Sequence, residues 1–167
     1  SGKGNHLVGF SRNNLLVKGL DVRNECINIL PDVDIRECDL EKDQFPFDDN
    51  TFDKLVISYG LRNLGNCEKG LSEFYRVLKP SGKIGILEFL HPKSTIIARI
   101  FKFYFNKILP RVASLFSNSK AYRYLPESVE NFLSADELKS ALNKVGFDDV
   151  SSKNMSFGIT SILNATK

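Results

Sequence analysis

The stretch Asp53-Lys54-Leu55-Val56-Ile57-Ser58-Tyr59-Gly60-Leu61-Arg62-Asn63 decides the fold. It opens as a short, nearly continuous apolar run, the pattern of a strand buried on both faces of a parallel sheet. It closes in polar residues, where the chain leaves the carboxyl end of that strand. Ligands in open α/β sheets bind along that edge. Residues 59–63 are therefore read as the floor of an active site.

Upstream, Leu16-Val17-Lys18-Gly19-Leu20 is a compact apolar strand ending in Asp21. Residues 33–38 alternate like a half-buried strand, closed by Asp39. Helices are expected over residues 7–15 and between Asn24 and Leu30, the second stopped by Pro31. Residues 45–50 form a turn-rich loop. Downstream, Asn66 suits an N-cap for a helix with Leu71, Phe74, Tyr75 and Leu78 on one stripe. Lys79-Pro80-Ser81-Gly82 ends it, and residues 83–89 form the next buried strand. This alternation predicts a doubly wound α/β sheet.

The later chain changes character. Residues 96–109 read as a long apolar-aromatic helix ended by Pro110. Ser134-Ala135-Asp136-Glu137 is a capping box. It starts a helix that turns Leu138, Ala141, Leu142 and Val145 inward and stops at Gly146. Segments near Val150 and over residues 159–163 suit a closing hairpin. One domain is expected over residues 1–167, with an insert at about 92–134.

Composition narrows the class. The 167 residues are 42% hydrophobic, enough for the core of one domain. With 23 basic against 20 acidic side chains, neither disorder nor a dedicated nucleic-acid binder is indicated. The balance hides an asymmetry: no acid lies between Glu88 and Glu127, where Lys93, Arg99, Lys102, Lys107, Arg111, Lys120 and Arg123 all fall. Cys26, Cys38 and Cys67 form no CxxC pair, so free thiols in a reducing compartment are expected. His6 and His91 lie far from any cysteine, and no metal site is read.

Three elements at the starts or ends of consecutive segments suit a nucleotide. Gly2-Lys3-Gly4 precedes a helix, and glycines there let the backbone approach a ligand closely. Asp21 follows Gly4 by 17 residues, at the end of the next strand, where a carboxylate can accept both hydroxyls of a ribose. Asp39, with the backbone N–H of Leu40, can read the edge of an adenine. Each carboxylate alone also suits a strand-terminal turn. Their recurrence at the ends of consecutive elements favours the nucleotide.

The chain resembles class I methyltransferases that use S-adenosylmethionine. Within them it is similar to the quinone-biosynthesis C-methyltransferases of the bacterial UbiE and eukaryotic Coq5 family. Tyr59-Gly60-Leu61-Arg62-Asn63 resembles the family's F-G-[LI]-R-N. Tyr75-Arg76-Val77-Leu78-Lys79-Pro80-Ser81-Gly82 followed by Leu87-Glu88-Phe89 resembles its Y-R-V-L-K-P-G-G…L-E-F. Ile108-Leu109-Pro110, Tyr122-Arg123-Tyr124-Leu125-Pro126-Glu127-Ser128 and Phe157-Gly158-Ile159 also match. There are three departures. Ser81 stands for a usual glycine, Leu90-His91 follows Glu-Phe where Ser is common, and the family's first strand and first glycines have no counterpart ahead of Gly2. That strand lies mid-sheet in this fold, so exposed apolar surface is expected in a chain without it.

The resemblance implies a Rossmann-like, mostly parallel sheet flanked by helices, with a C-terminal antiparallel hairpin and a helical lid. It implies S-adenosylmethionine as cofactor, with contacts at Gly2, Gly4, Asp21, Val22, Asp39, Leu40, Ser58 and Tyr59. It implies C-methylation of a polyprenyl benzoquinol in ubiquinone synthesis. Demethylmenaquinol, another lipid or phenol, or a non-catalytic scaffold role are the alternatives. A ring carbon becomes nucleophilic when a neighbouring hydroxyl loses its proton, so the site needs a base and a group that stabilises the phenolate. Arg62 and Asn63 are the candidates for holding the oxygen. His91, Tyr122 and Glu127 remain alternative bases.

Ile97, Ile100, Phe101, Tyr104, Phe105 and Ile108 form an apolar-aromatic stripe on the expected lid helix, with Arg99, Lys102, Lys107 and Arg111 around it. That suits a polyprenyl tail and an anionic membrane surface. A packed helix with solvated lysines is the plainer reading. The expected partners are the quinol, a peripheral membrane surface, other quinone-biosynthesis proteins and a second copy of the chain, and no nucleic acid. The expected location is the matrix face of the mitochondrial inner membrane, or the cytoplasmic membrane in a bacterium.

Overall fold

The computed structural model describes residues 16–21, 34–38, 44–90, 99, 103–104, 129, 132–156 and 159–167. The chain divides into two compact units, Ser1–Asp49 and Asn50–Lys167.

In the first unit, β1 (Lys18–Asp21) pairs in parallel with β2 (Asp34–Glu37), Asp21 standing opposite Glu37. The expected strands are both present. Asp34 binds the Arg36 guanidinium through both oxygens, at 3.1 and 3.2 Å. Those bonds, with Lys18 nearby, hold its carboxyl below the usual range. Lys18 and Arg36 also lie over the Phe47 ring, and Ile35, Cys38 and Phe45 are buried.

The second unit carries β3 (Phe52–Ser58), a single 3₁₀ turn (Leu61–Asn63), α1 (Cys67–Val77), β4 (Leu78–Phe89), α2 (Ala135–Val145), β5 (Asp148–Met155) and β6 (Thr160–Thr166). Its four-stranded sheet runs β3-β4-β6-β5. β3 and β4 are parallel, whereas β6 is antiparallel to both β4 and β5, so the expected closing hairpin forms. β4 is an inner strand: Gly82, Ile84, Ile86 and Glu88 are buried, Leu90 just past its end is buried too, and of the alternate residues Gly85, Leu87 and Phe89 are half-buried and Lys83 exposed. Leu71, Phe74 and Val77 of α1 and Ala135, Leu138 and Leu142 of α2 complete the core.

The caps form where the sequence places them. Asn66 Oδ1 accepts from the Lys69 N–H at 2.9 Å. Ser134 and Glu137 bond reciprocally, satisfying N–H groups that a helix start otherwise leaves unpaired. Gly146 ends α2 at φ 115°, and a Cβ there would meet the Tyr75 ring at 3.2 Å.

Two expectations need correction. β3 is not buried on both faces: Val56 is 61% exposed, and Lys54 and Ser58 are exposed with it. β3 ends the sheet of its unit and has one strand neighbour there, so the run Leu55-Val56-Ile57 is only half covered. The stretch Lys79-Pro80-Ser81-Gly82 is not a turn between elements. α1 ends at Val77, and residues 79–82 bulge within β4, where pairing passes from Phe52↔Leu78 to Lys54↔Lys83. Ser81 sits there at φ 64°.

The helices expected over residues 7–15 and 24–30 lie outside the described residues. So does the lid insert, except that Arg99, Phe103 and Tyr104 are helical and exposed, and Val129 is helical and buried.

Candidate active site

β3 and β4 run in parallel with Ser58 opposite Leu87, so residues 59–63 and 88–89 emerge at the same carboxyl end. The Tyr59 N–H donates to the Leu87 carbonyl at 2.8 Å, extending the ladder by one residue. The chain then breaks away. Tyr59 adopts φ 52°, Gly60 follows, and Leu61–Asn63 close the 3₁₀ turn. Leu61 is wholly buried and anchors the turn to the core, while Tyr59 stays 38% exposed.

What fixes this turn is a carboxylate. Glu88 is 0% exposed, and its Oε1 accepts from Arg62 Nη1 at 2.7 Å and from the Phe89 N–H at 2.9 Å. Its Oε2 accepts from the Arg62 backbone N–H at 3.2 Å. Arg62 Nη1 also donates to the Tyr59 carbonyl at 2.8 Å, and the Arg62 side chain keeps only 9% of its exposure. Asn63 Nδ2 lies 3.4 Å from the same carbonyl. The Tyr59 and Phe89 rings meet at 4.6 Å and 32°, with the guanidinium 5.6 Å from the Phe89 ring centre. A buried charge is tolerated where it is paired and its remaining lone pairs are bonded, and Glu88 meets both conditions.

An open groove of about 930 Å³ lies beside the turn. Its lining includes Arg62, Leu64 and Cys67 from the turn and the start of α1, and Phe132, Leu133 and Ala141 from the chain around α2. Cys67 is the first residue of α1, a position that ordinarily lowers a thiol pKa. Burial pushes it up to about 11 instead, and the Glu68 and Glu88 carboxylates add to the effect. Both effects disfavour the thiolate in this groove. Among the described residues no group of His, Cys, Asp and Glu side chains could hold a metal ion.

Ser58, Tyr59, Arg62 and Asn63 thus come together at one strand end. Arg62 is far more enclosed than its place in a polar exit loop suggests. Asp21 is the last residue of β1, opposite Glu37. Gly2, Gly4, Val22, Asp39, Leu40, His91, Tyr122 and Glu127 lie outside the described residues. The residue that sequence reasoning passed over is Glu88. Its signal was an acid inside the apolar strand Lys83-Ile84-Gly85-Ile86-Leu87-Glu88-Phe89, which demands a partner.

Residues 6–167 match the model of the ubiE/COQ5 methyltransferase family. The ubiquinone/menaquinone biosynthesis C-methyltransferase UbiE of Geobacter sulfurreducens is 46% identical over 122 residues, covering 73% of this chain and 48% of that protein. The protein of the same name from Rickettsia felis is 44% identical over 126 residues, covering 75% of this chain and 51% of its own. The chain spans about half the length of the curated relatives it matches.

Among solved structures, a SAM-dependent methyltransferase from Archaeoglobus fulgidus superposes with a TM-score of 0.68 at 15% identity, covering 99% of this chain and 82% of that one. Phosphoethanolamine N-methyltransferase 2 of Haemonchus contortus, in complex with S-adenosyl-L-methionine, gives 0.72 at 16% identity, covering 99% and 46%. These likenesses establish the α/β Rossmann-like fold of class I methyltransferases.

Proposed function

The chain belongs to the ubiE/COQ5 methyltransferase family, and from that premise we propose that it serves the C-methylation of a polyprenyl benzoquinol in ubiquinone synthesis, with S-adenosylmethionine as cofactor. The observation that carries this reading is the motif Tyr59-Gly60-Leu61-Arg62-Asn63, which resembles the family's F-G-[LI]-R-N and is folded as a turn at a strand's carboxyl end. The relatives' names give the reaction class, C-methylation in ubiquinone/menaquinone biosynthesis. That wording favours demethylmenaquinol as the second substrate to test.

Exposed Ser58 and Tyr59, at the end of β3, fit a cofactor that lies along this edge. When bound, S-adenosylmethionine supplies an electrophilic methyl on a sulfonium. The protein's part is largely positioning and charge stabilisation. The Arg62 guanidinium and Asn63 amide orient and stabilise the oxygen beside the reacting ring carbon. A base drawn from His91, Tyr122 or Glu127 takes the hydroxyl proton, directly or through water. Asp21 accepts the ribose hydroxyls, and Asp39 with Leu40 reads the adenine.

The insert at about 92–134 is proposed as a lid for the polyprenyl tail, with its basic face toward an anionic membrane, within a single methyltransferase domain. The proposed location follows: the matrix face of the mitochondrial inner membrane, or the cytoplasmic membrane of a bacterium. Other quinone-biosynthesis proteins and a second copy of the chain are proposed partners.

The test uses the full-length protein with S-adenosylmethionine and, in turn, a reduced demethylated benzoquinol and demethylmenaquinol, with product read by mass spectrometry. Methylated benzoquinol is expected, together with calorimetric binding of S-adenosylhomocysteine that Asp21→Ala abolishes. Absence of any cofactor binding would leave the scaffold role as the better account.

A further inference from the structure

We infer that Glu88 is a positioning residue of this site: it clamps residues 59–63 through Arg62, so that the guanidinium and the Tyr59 ring are held in place before substrate arrives. The inference rests on the proposed methylation for its kinetic consequence, but its geometry stands alone. Tyr59 occupies φ 52°, a region that side chains with a Cβ rarely adopt. Such a residue persists where its surroundings over-determine it. Here they do. Its N–H is held by Leu87, its carbonyl by Arg62 Nη1 at 2.8 Å, and its ring by Phe89.

Both outer restraints run through Glu88. The carboxylate binds Arg62 at backbone and side chain, and its Oε1 also takes the N–H of Phe89, the residue whose ring Tyr59 stacks on. Arg62 and Glu88 lie 26 positions apart, so one acid on β4 sets the conformation of a turn that leaves β3. Without it the bonds to the Arg62 backbone N–H and to Nη1 from Glu88 are lost, while the bond from Nη1 to the Tyr59 carbonyl remains. Glu88 is wholly buried and so acts on substrate through Arg62.

Glu88→Gln tests this in the full chain. A carboxylate uses both oxygens here, whereas an amide offers one acceptor and presents two donors. At least one of the three bonds must go. The expected result is a folded protein with faster amide hydrogen exchange at Arg62 or Phe89. Its kcat for quinol methylation should fall roughly ten- to hundredfold, with the quinol KM within about threefold, as displacing an orienting group acts on the transition state. Faster exchange with wild-type kcat overturns the inference, because the turn would then be loose without consequence. Unchanged exchange overturns it as well, because the clamp would not depend on the carboxylate.

If Glu88→Gln does not fold, Glu88→Asp is measured the same way. It keeps the charge and draws the carboxylate back by one carbon, and wild-type kcat in a folded Glu88→Asp protein is equally fatal. If the wild-type protein binds S-adenosylhomocysteine and methylates no quinol, the proposed substrate is wrong. The exchange readout then decides the clamp by itself.

Discussion

Tyr59 and Ser81 both hold positive φ, at 52° and 64°, and the two positions are treated differently by their surroundings. An L-residue in this region loses roughly 1–2 kcal/mol to the crowding of its Cβ against the backbone. At Tyr59 that cost is opposed by a stacked ring and by a guanidinium on its carbonyl. Ser81 is exposed, and the bond at hand is a backbone one, from its N–H to the Lys167 carbonyl at 2.8 Å. Ser81→Gly keeps that bond and relieves the crowding, at some cost in unfolded-state entropy. A net gain of about 0.5–1 kcal/mol is expected, read as a midpoint 1–4 °C higher in thermal unfolding, where about 1 kcal/mol moves a chain of this size by roughly 2–4 °C. A lower midpoint would mean that the serine hydroxyl contributes more than its backbone loses. The departure from the family's glycine was legible in the sequence, but the sign of φ was not. A turn of the kind expected there accepts serine at negative φ equally well.

At the scale of elements, the two helices show which signals are local. The capping box at Ser134 and Glu137 and the N-cap at Asn66 were read from four consecutive residues, and both form. The C-terminal end of α1 is closed by a residue no local pattern could nominate. Lys167 Nζ donates to the carbonyls of Tyr75 and Leu78 at 2.7 Å each and to Asn50 Oδ1 at 3.0 Å, with its ammonium 4.6 Å from the Tyr75 ring centre. A cation at a helix C-terminus satisfies orphan carbonyls and opposes the negative end of the dipole. Lys167→Met keeps most of the stem and deletes the charge. It is expected to cost about 1.5–3 kcal/mol, since hydrogen bonds to charged groups contribute at that level. Urea unfolding measures it, and an unchanged midpoint would reduce the lysine to a spectator. β3 marks the opposite failure. Its apolar run was read correctly as a strand and wrongly as buried on both faces, because burial depends on what lies beside the strand and not on its own composition.

For the whole molecule, charge is the property that sequence displays most openly. The acid-free stretch between Glu88 and Glu127 carries seven Lys and Arg residues on a chain whose net charge is only +3. Within it, Arg99 and Phe103 are helical and exposed, Phe103 at 61%. No described helix is long and apolar enough to cross a membrane. If the basic face meets an anionic surface, each cation contributes about 1 kcal/mol. Arg99→Glu with Lys102→Glu is then expected to lower affinity for phosphatidylserine-rich liposomes at least tenfold in a sedimentation assay at physiological salt. Retained binding would rule out the membrane-facing lid while leaving the methyltransferase fold untouched.

The sequence by itself determined that each described strand exists, though not where β4 begins, and it determined both described helices, their starts, the hairpin and the family, because periodicity, caps and contiguous motifs are written within a few neighbouring residues. It also located the functional turn, since a polar exit from an apolar strand is a local pattern. Tertiary structure alone decided what holds that turn. Arg62 meets Glu88 across 26 positions, and Lys167 reaches Tyr75 across 92. Such pairs depend on which strand ends lie side by side, a property of the assembled sheet that neither partner's neighbourhood encodes. The same reason explains why Arg62, read as a candidate for holding a quinol oxygen, is found bound at its guanidinium and its backbone N–H by a buried carboxylate.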